Sequence, residues 1–176
     1  MRKFTAGFIV LALLAGAWSA SAATLNVVAL GASNTAGRGQ GAHPGGVARS
    51  QAYPAQLEAM LRARGYDARV ANAGIAGDTT GGMLRRLNSA VPNGTHVVIL
   101  QTGGNDARQG KDDAGANTAQ ITSKLQARGI KVILLDRISA YANQSTRDSD
   151  GQHYNARGHA AIAAGLLPQV IAAAGR

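Results

Sequence analysis

Short apolar runs, helical periodicity between them and Gly-rich breaks after them predict an α/β protein. The expected architecture is a three-layer α/β/α sandwich around a parallel sheet of about four to five strands, because strands separated by helices return in parallel. In such sheets functional polar groups collect just past the carboxyl ends of the strands.

The elements follow in order. Arg2 and Lys3 precede the apolar run Phe8–Ala15 and then Ala20-Ser21-Ala22, the order of a secretory signal peptide. Residues 1–22 are therefore expected to be a signal peptide cleaved near Ala22, and 23–176 a single domain, periplasmic or secreted in a bacterium. No stretch reaches the roughly 20 apolar residues of a membrane-spanning helix, so no transmembrane anchor is expected. Leu25–Gly31 lacks strict alternation and reads as a strand covered on both faces. A Gly-rich loop through Gly37, Gly39, Gly41, Gly45 and Gly46 leads to a helix over Ala52–Arg64, with Tyr53, Leu57, Met60 and Leu61 on one side and Gly65 as its stop. Ala68–Gly74 is the second strand, Gly77-Asp78-Thr79-Thr80 a turn and cap, and Met83–Leu87 a short helix. His96–Thr102 is the third strand, ended by Gly103-Gly104-Asn105-Asp106. A helix from about Asn117 to Ala127 runs through Gly129 into a fourth strand, Lys131–Asp136. A polar loop holding Asp148, Asp150 and His153 precedes the last helix, about Ala156 to Ala174.

Composition narrows the chemistry. The chain has no cysteine, which removes disulfides, thiolate nucleophiles and zinc-thiolate sites together. It carries 18 Lys+Arg against 9 Asp+Glu. Arg38, Arg49, Arg62, Arg64, Arg69, Arg85 and Arg86 are scattered among apolar positions and form no run. With Phe and Trp missing beyond residue 22, the stacking platforms of a single-strand binder are absent, and no specific nucleic-acid partner is expected. The charge reads as solubility and loose attraction to acidic surfaces.

Ser33 stands two positions after Gly31, where a serine can rise from a strand end among free backbone donors. Its plain alternative is a helix cap. His153 changes the balance: a histidine can take a serine proton when a carboxylate fixes its tautomer and steadies its charge. Asp150 lies three residues before it, close enough for one turn to present both to a single cavity; Asp148 is the rival acid, and a surface loop capping the last helix is the plain alternative for the pair. His43, His96 and His159 are weaker bases, and four dispersed histidines make no metal motif. A serine attacking an ester carbonyl also needs donors aimed at the oxygen that turns negative. The backbone N–H groups of Ser33 and Gly77 and the side-chain amide of Asn105 could supply three, from three strand ends. Asp78 and Asp106 suit loop hydrogen bonding and capping better than metal ligation. Thr80, Met83 and Tyr154 fit either a pocket wall or packing.

Four blocks in order, Gly31-Ala32-Ser33-Asn34, Asn72–Asp78 with Gly77, Gly103-Gly104-Asn105-Asp106 and Asp150-Gly151-Gln152-His153, resemble those of the SGNH hydrolases, or GDSL-type esterases and lipases. The resemblance implies a flavodoxin-like sandwich, Ser33 as nucleophile, His153 as base and then acid, Asp150 as its orienter, and Ser33, Gly77 and Asn105 as oxyanion hole. It implies no cofactor and no metal. Two departures stand out: Ala32 replaces the aspartate of the first block, and Asp106 to Asp150 leaves room for one helix and one strand where familiar members place another of each. An exposed sheet edge, or a homodimer covering it, would follow from that shortening.

The function this implies is serine-dependent hydrolysis of carboxylic esters, short acyl or acetyl in preference to long lipids, since no long lid or large apolar loop is visible. The substrate would be a small ester or an acylated carbohydrate or lipid. Thioesterase, lysophospholipase and acyltransferase activities share the same machinery. The competing class is a catalytically silent module that binds an acylated or acidic polymer.

Overall fold

The computed structural model describes residues 23–175, and of His43 only the backbone. The expected signal peptide lies outside the described residues. Strand β1 (Leu25–Gly31) is followed by a one-turn helix α1 (Ser33–Ala36), strands β2 (Arg38–Gln40) and β3 (His43–Gly46), helix α2 (Tyr53–Ala63), strand β4 (Ala68–Gly74), helices α3 (Thr80–Arg85) and α4 (Leu87–Ala90), strand β5 (Val97–Leu100), helices α5 (Asn105–Arg108) and α6 (Ala114–Gln126), strand β6 (Lys131–Leu134) and helix α7 (Ala156–Ala173). Two 3-10 turns, Ile138–Ala140 and Gln144–Thr146, occupy the connection from β6 to α7. Among the described residues no helix is long and apolar enough to cross a membrane.

The main sheet has four parallel strands in the order β4-β1-β5-β6. Leu30 pairs with Ala73 on one side and Leu100 on the other, and Leu100 with Leu134, so the strands end at one level. Strand order reverses at β1, since the chain builds β4 on one side of it and then crosses to build β5 and β6 on the other. Ligand crevices form outside the carboxyl ends of strands at such a reversal.

Alternation along each strand divides the core in two. Val27, Ala29, Val97, Ile99 and Ile133 pack under Leu57 and Leu61 of α2 and Ile162, Leu166 and Val170 of α7. Val28, Leu30, Val98 and Leu100 pack on the other face with Met83, Leu87, Ile121 and Leu125. This period-two division is why the strands are apolar throughout. It also makes the three layers.

The structure adds to the sequence expectation in two places. The Gly-rich loop is an antiparallel hairpin, β2 against β3, with Arg38 opposite Gly46 and Gln40 opposite His43. At the other end, β6 pairs only with β5, and Leu134 on this edge strand is 48% exposed. The segment between Asp106 and Asp150 supplies one strand, and among the described residues no further strand pairs with that edge.

Candidate functional site

The ends of β1, β5 and β6 and the loop before α7 converge on a cavity of about 440 Å³. Ser33, Asn105 and His153 line it, with Asn34, Gly103, Gly104, Arg108, Asp136 and Arg147 among the other wall residues.

Ser33 opens α1, so no preceding turn supplies its backbone N–H with an acceptor. Its hydroxyl has no hydrogen-bond partner among the described residues. The turn that presents it is held from beneath: Gln101, at the end of β5, accepts from the Ala32 N–H at 3.0 Å and from the Thr35 hydroxyl at 3.3 Å. Ala32 itself is buried in the core cluster beneath α3 and α6. Arg86 reaches the same region, donating to the Gly31 carbonyl at 3.1 Å and the Ala73 carbonyl at 2.8 Å while paired with Asp78 at 2.8 Å. One guanidinium therefore binds the ends of β1 and β4 to the turn after β4.

His153 is 4% exposed, and its Nδ1 lies 2.5 Å from Asp150 Oδ2. Asp150 Oδ1 accepts the backbone N–H groups of Gln152 and His153, each at 3.0 Å, and Oδ2 accepts Gly45 N–H at 3.1 Å. Burial pushes the Asp150 carboxyl upward, but the N–H and ring of His153 and the N–H of Gln152 outweigh it and hold the group well below the usual carboxylate range. Asp150 is thus ionised at neutral pH, and its negative charge fixes a proton on His153 Nδ1, leaving Nε2 as the free nitrogen.

Asp148, the rival acid, faces the hairpin. Its Oδ2 accepts Gly46 N–H at 2.5 Å and its Oδ1 accepts Ser149 N–H at 2.8 Å, which together hold its carboxyl below the usual range. Its own N–H donates to the His153 carbonyl at 2.7 Å. Glycine at 45 has a packing reason: a Cβ there would lie 2.6 Å from both Asp150 Cγ and Oδ2. The last two residues of β3, at the open end of the hairpin, are seated against both acids.

Asn105 donates through Nδ2 to the Asp78 carbonyl at 2.6 Å and accepts from Arg108 Nη2 at 2.8 Å. An amide nitrogen carries two hydrogens, so one remains for a ligand. Gly77 stands off the cavity wall. Its carbonyl accepts from Gln109 Nε2 at 3.3 Å, and the Gln40 amide lies against its α-carbon. The Asn105–Asp78 bond ties that turn to the cavity.

The remaining candidates fall elsewhere. Asp106, 2% exposed, accepts both the N–H and the hydroxyl of Thr80, and Asp78 pairs with Arg86 and accepts Thr79 N–H. Thr80, Met83 and Tyr154 are packed inside rather than on the cavity wall. His96 accepts from Asn26 N–H, and buried His159 accepts from Tyr53 N–H at 3.2 Å. His43 opens β3, and its side chain lies outside the described residues. Gln101, Arg86, Arg147 and the Gly45-Gly46 pair escaped sequence reasoning. Only the concentration of glycines before α2 signalled any of them.

Residues 29–168 match the GDSL-like Lipase/Acylhydrolase family. Esterase TesA of Pseudomonas aeruginosa is 40% identical over 93 residues, 51% of this chain and 46% of that protein. An arylesterase of Vibrio mimicus is 30% identical over 103 residues, 57% of this chain and 51% of that protein. The chain spans about half the length of these relatives. Among solved structures, the SGNH-hydrolase family esterase AlinE4 is 34% identical with a TM-score of 0.53, covering 63% of this chain and 58% of that one. The TesA crystal structure, at 24% identity, shares the fold with a TM-score of 0.71 over 84% of this chain and 99% of that one. The matched segment starts inside β1, ends inside α7 and contains all four sequence blocks, and the chain belongs to the GDSL-like lipase/acylhydrolase family, the SGNH hydrolases.

Proposed function

We propose that the protein is an exported serine esterase that hydrolyses short acyl or acetyl carboxylic esters without a metal. The observation that carries this reading is the buried His153 ring, bound at Nδ1 by ionised Asp150 and sharing a cavity wall with Ser33 and Asn105. The esterase names of the relatives support it.

In the proposed cycle, His153 Nε2 takes the proton of Ser33 Oγ as that oxygen attacks the ester carbonyl, and Asp150 steadies the imidazolium. The carbonyl oxygen turns negative between the Ser33 N–H and Asn105 Nδ2, with Gly77 N–H, on the turn bonded to Asn105 through Asp78, proposed as the third donor. Collapse expels the alcohol, which leaves with the proton held on His153. Water then attacks the acyl group on Ser33 by the same path, and a free acid departs. The cavity wall is mostly polar, which suits a short acyl group better than a long one.

The test is hydrolysis of short-chain nitrophenyl esters by the protein beside folded Ser33→Ala, together with labelling by a serine-reactive fluorophosphonate. Turnover and labelling that vanish in the variant are expected. An inert, unlabelled parent would overturn the reading in favour of a silent binding module.

A further inference from the structure

Arg108 and Arg147 line the same cavity as Ser33 and His153. Arg147 is held on three sides. Its Nε donates to Gln144 Oε1 at 3.0 Å, its Nη1 donates to the Gln152 carbonyl at 2.8 Å, and its guanidinium carbon lies 4.8 Å from the centre of the Tyr154 ring. Every one of these partners is neutral, so the guanidinium is positioned without being neutralised. Arg108 lies over Gly104 and donates Nη2 to Asn105 Oδ1 at 2.8 Å, again to a neutral group.

Other arginines in the molecule are treated differently: Arg62 is paired with Glu58 and Arg86 with Asp78, at 2.9 and 2.8 Å. Among the described residues no carboxylate lies within ion-pair distance of Arg108 or Arg147. Asp136 is the one carboxylate on this wall, and it is exposed and paired with neither. Asp150 is not on the wall and is committed to His153. Among the described residues Arg147 Nη2 and Arg108 Nε and Nη1 have no acceptor. Fixed guanidinium donors with no anion of their own match carboxylate or phosphate oxygens, which accept such forks at short range.

We propose that Arg147, assisted by Arg108, forms an anion subsite beside Ser33, so that the preferred substrates are esters bearing a carboxylate or phosphate group near the scissile bond. The inference rests on the esterase reading and names its substrate class. The bound anion orients the ester towards Ser33.

The experiment compares 4-acetoxybenzoate with the neutral 4-acetoxybenzamide and reads the ratio of their kcat/KM values. Arg147→Gln is expected to lower that ratio about tenfold, mainly through KM, the size of one charge-assisted hydrogen bond. Arg108→Gln is expected to lower it less, and Arg147→Lys to keep part of the preference. Arg69→Gln removes the same charge at the exposed, distant β4 edge and is expected to leave the ratio unchanged. Equal ratios in Arg147→Gln, Arg108→Gln and Arg69→Gln would overturn the subsite. Competition by benzoate and by phenyl phosphate separates the two anion types, the tighter inhibitor identifying the preferred one. If neither ester is turned over, the esterase reading falls, while calorimetric titration of phenyl phosphate and of benzoate still decides the subsite. Binding of either that is lost in folded Arg147→Gln supports it, and no binding of both to the parent overturns it.

Discussion

The two halves of the candidate site are held by different means. His153 and Asp150 are assembled by a dense set of local hydrogen bonds within a loop, with the end of β3 pressed against them. Ser33, by contrast, has a hydroxyl with no partner among the described residues, and its position is set by the sheet: β1 delivers it, and Gln101 fixes the turn below it. The acid–base half depends on contacts of the catalytic groups themselves, whereas the nucleophile half depends on strand register and on Gln101 and Arg86 beneath the turn. Replacing a catalytic side chain should therefore damage function in both halves but disturb structure only in the first.

Ser33→Ala and His153→Ala break the comparison most severely. Each is expected to cut kcat at least about a thousandfold, and the double variant little further, because members of such a unit are not additive. Steady-state kinetics on one ester across the three variants checks this; multiplicative losses would separate the two residues.

Asp150→Asn and Asp148→Asn divide the two neighbouring acids. Loss of the Asp150 charge releases the tautomer of His153 and is expected to cost on the order of 10³–10⁴ in kcat, whereas Asp148→Asn weakens one strong bond to Gly46 and should cost about tenfold. Both carboxyls lie below their usual range in the fold. Their ionised forms therefore stabilise the protein above about pH 4, and that contribution is lost as pH falls further. Denaturant midpoints from pH 5 to 2.5 should show a shallower acid loss in either variant.

Gly45→Ala sharpens the contrast from the hairpin side. The added methyl meets Asp150 at 2.6 Å, and displacement of the carboxylate is expected to cost roughly 1–3 kcal/mol of stability and ten- to a hundredfold in kcat. Thermal unfolding beside kinetics would detect both.

His159 gives a smaller effect that only stability measurements read. Burial holds its pKa down at about 4, with the nearby His153 charge adding to the effect. The folded state therefore refuses a proton that the unfolded chain accepts below about pH 6.5, and stability should fall by about 3 kcal/mol as pH drops from there to 4. His159→Gln should flatten that slope in urea titrations. Smallest of all, a chelator is expected to leave ester hydrolysis unchanged, and a loss restored by one divalent ion would refute the metal-free cycle.

The strands and long helices were legible because burial on both faces imposes apolar runs, and single-sided burial imposes helical spacing; Leu25–Gly31 and Ala68–Gly74 match residue for residue. The β2–β3 hairpin was not legible. Its residues are mostly glycine and polar, it makes only two residue pairings, and nothing in its pattern says which groups it meets. Spacing favoured Asp150, three residues before His153, over Asp148, five before it, but the contact of each acid with Gly45 or Gly46 was invisible in the sequence, because it depends on tertiary position. Arg147 left no periodic trace because it serves a loop.

The Gly45–Asp150 hydrogen bond joins residues 105 positions apart. The catalytic pair can therefore reach its final setting only after the first third of the chain has met the last, a long loop closure that comes late in folding. Competence for chemistry is then a report on completion: partly folded or nascent chains that already contain Ser33 and the sheet remain inert until the closing loop is docked.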